Sequence, residues 1–257
     1  MRPVLRVVVA ALFVLIGSGC ADAVPEPERT DDLTRSLLDQ VPTTAAGPST
    51  EISGDLAIPG EVTRAYLPEL GFNLGSVEAP VKVIEFSDFG CGYCRRFHQE
   101  SFPTLAEQFI ATNMIEWKFL PFIAGMFENS LAVSEAAECT LEQDPVAYGA
   151  FADMLWARQP EWKDGGDPGS VVRPWAADLG LDMGRYDSCL AEDRRIERVA
   201  GATVAAEQLG VRGTPTFWIV GYGPLQGALP LEAFQGILGT IHQEVVTGQQ
   251  AVPPIAN

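Results

Sequence analysis

Apolar positions along this chain switch between the period of a strand and that of a helix, and the switches mark its elements. Residues 81–89, reading Val-Lys-Val-Ile-Glu-Phe-Ser-Asp-Phe, are a nearly continuous apolar run that predicts a buried strand. From Cys91 to about Ala111 the spacing of Phe97, Phe102, Leu105 and Phe109 predicts a helix with these side chains on its inner face. Met114–Phe122, rich in aromatic and aliphatic residues, predicts a second strand. Helical periods then run through Ser130–Leu141, Val146–Arg158, Val172–Leu179, Met183–Glu192 and Arg194–Leu209, with Gly165-Gly166 and Pro168-Gly169 as breaks. The strand period returns at Thr216–Val220, with a hairpin partner at Leu225–Leu229 beyond Gly221 and Gly223, and Leu231–Val246 predicts a closing helix. The expected order is βαβ, a block of helices, then ββα, with no internal repeat.

Ahead of these elements, Arg2 and Arg6 precede the apolar run Val7–Ile16, and Gly17, Ser18 and Gly19 lead to Cys20. This is the layout of a secretory signal over residues 1–19, and its apolar run is too short for a comfortable membrane span. Ile16-Gly17-Ser18-Gly19-Cys20 also resembles a bacterial lipobox, departing from it at Gly17. That resemblance implies lipidation of Cys20 as the first mature residue; plain secretion is the alternative. Residues 20–60 carry Pro25, Pro27, Pro42, Pro48 and Pro59 among acidic and small residues and read as a disordered tether. Within it, Leu33, Leu37, Leu38 and Val41 suit one short amphipathic helix. Residues 61–257 are the expected folded domain, with the helical block as an insertion over about 126–209. A content of 47% hydrophobic and 20% charged residues suffices for one sizeable core. A net charge of −17 argues against nucleic acid or an anionic membrane surface as partner, so the lipid is the only expected link to a membrane.

The chemistry concentrates in Cys91-Gly92-Tyr93-Cys94, at the junction of the first strand and its helix. Cysteines three residues apart share one side of the first helical turn, so their sulfurs can close a small disulfide ring. Free backbone N–H groups and the helix dipole favour the thiolate of the leading Cys91. Model thiol pKa values of about 8.5 fall to roughly 3.5–7.5 in such positions. A dithiol so placed, on this order of elements, is the layout of an α/β thioredoxin fold with an all-helical insertion between its βαβ and ββα halves. The likeness narrows with Gly75, Ala79-Pro80-Val81, Phe86-Ser87-Asp88, Phe119-Leu120-Pro121-Phe122 and Gly210-Val211-Arg212-Gly213-Thr214-Pro215-Thr216. Together with the dithiol, these resemble the DsbA-like family of extracytoplasmic thiol–disulfide oxidoreductases, over roughly Leu74 to Gly248.

The resemblance implies a role for each matching residue. Cys91 would be the nucleophile and Cys94 the resolving thiol. Thr214-Pro215 would be the family's cis-proline pair, packed beside the dithiol and offering its backbone to an extended client strand. Glu85 matches the family's buried acid, a proton acceptor for Cys94, and Lys118 on the next strand is a candidate ionic neighbour. His98 and His242 read as ordinary surface histidines. A structural zinc site would need a second ligand cluster that the sequence does not offer, and no metal or other cofactor is expected.

Gly92-Tyr93 between the cysteines and Thr214 before the proline resemble DsbC-type isomerases, yet residues 21–60 are too proline-rich for a dimerisation domain. The expected protein is therefore a monomeric oxidase, with an isomerase or reductase as the alternative. Its partners would be exported cysteine-containing proteins and a membrane redox partner, a quinone-linked reoxidase or an electron donor. A copper carrier using the dithiol and a histidine is the reading from another class. Only two histidines in the whole chain argue against it. Finally, Cys139 and Cys189 each sit in an amphipathic helical pattern, and in an exported chain they are expected to pair as a structural disulfide.

Overall fold

The computed structural model describes residues 69–248, so the signal segment, Cys20, the tether and the short amphipathic pattern in it lie outside the described residues. The described chain runs β1 (Phe72–Leu74), β2 (Val81–Ser87), α1 (Gly92–Glu100), α2 (Phe102–Leu105), a π-helical turn (Ala106–Ile110) and β3 (Ile115–Pro121). The insertion follows as α3 (Ser130–Leu141), α4 (Pro145–Ala157), α5 (Gln159–Trp162), α6 (Pro168–Asp178), α7 (Met183–Ala191) and α8 (Ile196–Gln208). Then come β4 (Thr216–Ile219), β5 (Gly223–Gln226) and α9 (Leu231–Thr247). This is the thioredoxin fold with its all-helical insertion. Among the described residues, no helix is long and apolar enough to cross a membrane.

The five strands order as β1-β3-β2-β4-β5, with β2 and β3 parallel and the other pairs antiparallel. Central position explains the near-continuous apolar runs of β2 and β3, which are covered on both faces. Val83, Trp117, Phe217 and Ile219 meet Phe97 of α1 and Phe234, Leu238 and Ile241 of α9 on one face. Ile84, Phe86, Leu120 and Phe122 meet Ala202, Ala205 and Ala206 of α8 on the other. The rings of Phe97, Phe217 and Phe234 lie 4.6–5.7 Å apart, so the first face is held by interlocked aromatics, each contributing about 1.5–3 kcal/mol by burial.

Several local expectations are corrected. β1 has no counterpart in the predicted order. Its three residues pair with Trp117–Phe119, between Gly71 and Gly75, whose positive φ values leave their absent Cβ atoms against the backbone of β3. The single helix expected from Cys91 to Ala111 breaks at Ser101, because Pro103 has no N–H to continue the ladder. Pro168-Gly169, expected as a break, instead starts α6, with Asp167 accepting from Gly169 N as the cap and Pro168 in the first turn. The separate short α5 was not expected either.

Candidate active site

β2 ends at Ser87 and α1 begins at Gly92, and Asp88 shapes the turn between them. Its carbonyl accepts from Cys91 N at 2.9 Å, while its carboxylate Oδ1 accepts from Gly90 N at 2.8 Å and from the Ser130 hydroxyl. Gly90 is needed for space: a Cβ there would meet Ser130 Oγ at 2.5 Å and Phe127 Cβ at 2.6 Å. The buried Gln159 side chain ties the turn to the insertion, its amide donating to Phe89 O at 2.6 Å and Cys91 O at 3.2 Å. Cys91 thus becomes the N-cap of α1, extended and without a side-chain cap bond, beside the free N–H groups of the first turn.

The loop before β4 closes the site. The Thr214–Pro215 bond is cis, and the Cys91 thiol donates to Thr214 O at 3.5 Å. Cys91 and Cys94 are free thiols, both buried. A hydrogen bond from Cys94, helped by Thr214 and by the backbone N–H groups of Tyr93 and Cys94, holds the Cys91 thiol down at about 5, against the opposing effect of burial. The Thr214 hydroxyl is buried without a partner and so is available to the Cys91 thiolate. Burial, followed by the neighbouring Cys91, pushes the Cys94 thiol well above the usual range. One sulfur is thereby prepared to ionise and the other to keep its proton.

Beneath the dithiol lies Glu85, fully buried, on the β2 face that points toward α1. Its Oε1 accepts from the Ser87 hydroxyl and is bonded to His98 Nε2 at 2.8 Å, and its Oε2 accepts from Trp117 Nε1 at 2.9 Å. Lys118 is not its neighbour. The parallel register sets Lys118 opposite Ile84, on the other face, where it donates to Leu70 O at 2.9 Å and burial pushes it down to about 8. His98 is not a surface histidine: only 8% of its side chain is exposed, and its ring stacks on Trp156 at 4.5 Å. Cys139 and Cys189 are joined across α3 and α7, with their Cα atoms 5.9 Å apart.

Ser87, Asp88, His98, Trp117 and Gln159 are site residues that sequence reasoning left without roles. Two signals were available for some of them. Period-2 alternation puts Ser87 on the face of Glu85, and the four-residue step from Cys94 puts His98 one turn further along the same side of α1. Nothing in the sequence marks Gln159, which arrives from 68 residues away.

Asp88 carries a testable pH effect. Burial pushes its carboxyl up from 3.8 to about 6, and its Oδ2 has no partner. A group with a raised folded pKa contributes stability that is present below its unfolded value and lost as pH rises toward the folded one. Asp88→Asn keeps the acceptor for Gly90 and Ser130 and removes the charge. The variant should match wild-type stability near pH 4, gain on it up to pH 6, and keep that gain above. Denaturant unfolding at pH 4, 5, 6 and 7 measures the difference; a gain independent of pH would show that the charge is not its source.

Residues 69–239 match the protein family described as thioredoxin. Na(+)/H(+) antiporter NhaA 3 of Salinispora tropica is 32% identical over 175 residues, covering 66% of this chain but only 24% of that protein. Disulfide bond formation protein D of Bacillus subtilis is 25% identical over 158 residues, covering 57% of this chain and 66% of that one. The chain thus spans about a quarter of the antiporter's length and just under two thirds of the other relative's. Among solved structures, oxidised BdbD from Bacillus subtilis superposes with a TM-score of 0.61 at 19% identity, covering 66% of this chain and 92% of that one. Wolbachia pipientis alpha-DsbA1 gives 0.62 at 19% identity, covering 69% and 94%. At these identities the structures speak for the fold, and the family match speaks for descent. Since that match takes in nearly all of the described residues, the chain belongs to the thioredoxin family.

Proposed function

We propose that this chain is an extracytoplasmic protein thiol–disulfide oxidoreductase working as an oxidase. The observation that carries the reading is the opposite preparation of the two sulfurs, with Cys91 held down at about 5 and Cys94 pushed up. A site that stabilises the Cys91 thiolate stabilises its own reduced form, which makes its disulfide an oxidant. In the proposed cycle a client thiolate attacks Cys91 Sγ of the Cys91–Cys94 disulfide. The S–S bond breaks, Cys94 leaves as thiolate and takes up a proton, and a client–Cys91 disulfide forms. A second client thiolate then attacks the client sulfur, forming the client's disulfide and releasing Cys91 as a thiolate. The low pKa of Cys91 makes it the better leaving group. The Thr214–Pro215 segment supplies backbone for an extended client strand alongside.

The name of the Bacillus subtilis relative agrees with this activity. The secretory pattern of residues 1–19 and the Cys139–Cys189 bond support an oxidising compartment outside the cytoplasm, with Cys20 as lipid anchor. Clients would be exported proteins with paired cysteines, and a membrane reoxidase would restore the disulfide.

The glutathione equilibrium tests the direction. Reduction of the Cys91–Cys94 disulfide by two glutathione molecules releases one proton wherever Cys91 is ionised and glutathione is not. The reduced form should therefore gain about tenfold per pH unit between pH 5 and about 8, and nothing below pH 5. An equilibrium that favours the disulfide at pH 7, flat over that range, would make the chain a reductant or isomerase instead.

A further inference from the structure

The chain carries a net charge of −17, yet its unpaired cations gather at the dithiol. Of the described lysines and arginines, Lys82, Arg158, Arg173, Arg194, Arg195 and Arg198 sit in ion pairs with carboxylates of the chain, and Lys118 is buried. Arg95, Arg96, Lys163, Arg185 and Arg212 have no such carboxylate partner among the described residues. All but Arg185 border the Cys91 turn. Arg95 N donates to Cys91 O at 3.0 Å, and its buried Nε has no acceptor. Arg96 is exposed, with its guanidinium 5.5 Å from the ring of Tyr93, itself 62% exposed between the cysteines. Arg212, also exposed, lies two residues before Thr214, whose carbonyl accepts from the Cys91 thiol. Lys163 Nζ lies 4.8 Å over Phe127, the ring packed against Gly90. The exposed acids Glu128 and Asp164 adjoin Phe127 and Lys163 and offset that side, while Glu100 lies one turn beyond Arg96, away from the cysteines. The uncompensated positive edge is therefore Arg95 and Arg96 on α1 together with Arg212 before the cis-proline.

We propose that Arg95, Arg96 and Arg212 select client segments that carry Asp or Glu beside the reacting cysteine. This rests on the proposed exchange chemistry and names its substrate class. Cys91 lies between the two arms of the edge: α1 carries Arg95 and Arg96 just after it, and the loop with Arg212 meets its sulfur through Thr214 O. A client cysteine at Cys91 thus brings the residues around it within reach of guanidinium groups, whose planar fork matches a carboxylate with two parallel N–H···O bonds. An acidic neighbour also keeps a client thiol protonated and slow to attack, and cations at the edge offset that charge on docking. The acidity of the whole chain does not cancel this. At 0.15 M salt the Debye length is about 8 Å, so remote acids are screened while cations in contact act.

The test uses the reduced full chain and two short peptides, each with one cysteine activated as its 2-thiopyridyl disulfide. One peptide has glutamates on both sides of the cysteine and the other has lysines. The Cys91 thiolate attacks the peptide sulfur, the Cys91–peptide disulfide forms, and the bond to the thiopyridyl group breaks, releasing pyridine-2-thione, whose absorbance gives the rate. The rate in Cys91→Ser is subtracted as blank, and each peptide is normalised to its rate with 2-mercaptoethanol. The glutamate peptide should be favoured about tenfold at 0.15 M salt, and the preference should vanish at about 1 M. Arg96→Gln and Arg212→Gln should each reduce the preference about threefold, and Arg96→Lys should restore it to within about twofold. Arg185→Gln makes the same charge change on α7 and should leave it unaltered. A shift in the Cys91 thiolate itself moves both peptides alike, so the preference reads the arginines alone. Equal normalised rates at 0.15 M salt, or a preference that survives in the double variant Arg96→Gln/Arg212→Gln, would overturn the proposal. A wild-type chain that releases no pyridine-2-thione from either peptide would overturn the exchange reading beneath it.

Discussion

With Cys94 replaced by alanine, the protein is expected to accumulate as covalent complexes with its clients. In the variant Cys91 can still form a mixed disulfide by attacking a client disulfide, the reverse of the last step of the proposed cycle, while release of that adduct by attack of Cys94 is lost. The helix-start position and the low thiol pKa of about 5 keep Cys91 reactive in the variant, although the hydrogen bond from Cys94, its largest single stabilisation, is lost. Its reactivity should therefore fall while its adducts persist. On a non-reducing gel, the expected shift is from traces of complex to about one client per chain, reversed by dithiothreitol. Cys91→Ser should give almost none, since the free thiol that it leaves among the described residues, Cys94, is fully buried and kept protonated. Equal adduct in the two variants would remove exchange as the function.

Removing the second disulfide should be the largest stability change. Cys139 and Cys189 are both buried and close a loop of 50 residues across α3 and α7. Loop-closure entropy puts the bond at about 4 kcal/mol. For a domain of this size that corresponds to a melting temperature lower by roughly 10 °C in Cys139→Ala/Cys189→Ala. Scanning calorimetry of the oxidised protein measures it. Because the Cys91 turn hangs on Gln159 and Ser130 of the same insertion, the variant should also loosen the dithiol and speed alkylation of Cys94. An unchanged melting temperature would leave the pair without a structural role.

The architecture was largely legible because its signals are periodic. The switch from the apolar run of β2 to the 3.6 spacing of α1, and back again at Thr216, placed the dithiol and the insertion before any coordinates. What the pattern could not carry was the identity of each residue's neighbours. β1 is three residues long, too short for a period, and is held by pairing with β3. The break at Ser101 follows from one missing N–H at Pro103, which an apolar period does not register. His98 shows the same gap at the site. Its spacing from Cys94 was readable, but that this side of α1 meets Glu85 and the ring of Trp156 depends on an insertion helix packed 58 positions away. Lys118 depended on register: a one-residue slip of β3 against β2 would have brought it to the face of Glu85.

The most direct measurement is a peptide map of the complex trapped by Cys94→Ala, reading which sulfur holds the client. The client should be found on Cys91 alone, with the Cys139–Cys189 peptide intact as a disulfide. Clients attached to Cys139 or Cys189, with Cys91 recovered as a free thiol, would mean that the Cys91 turn and its Thr214–Pro215 wall are not the exchange site.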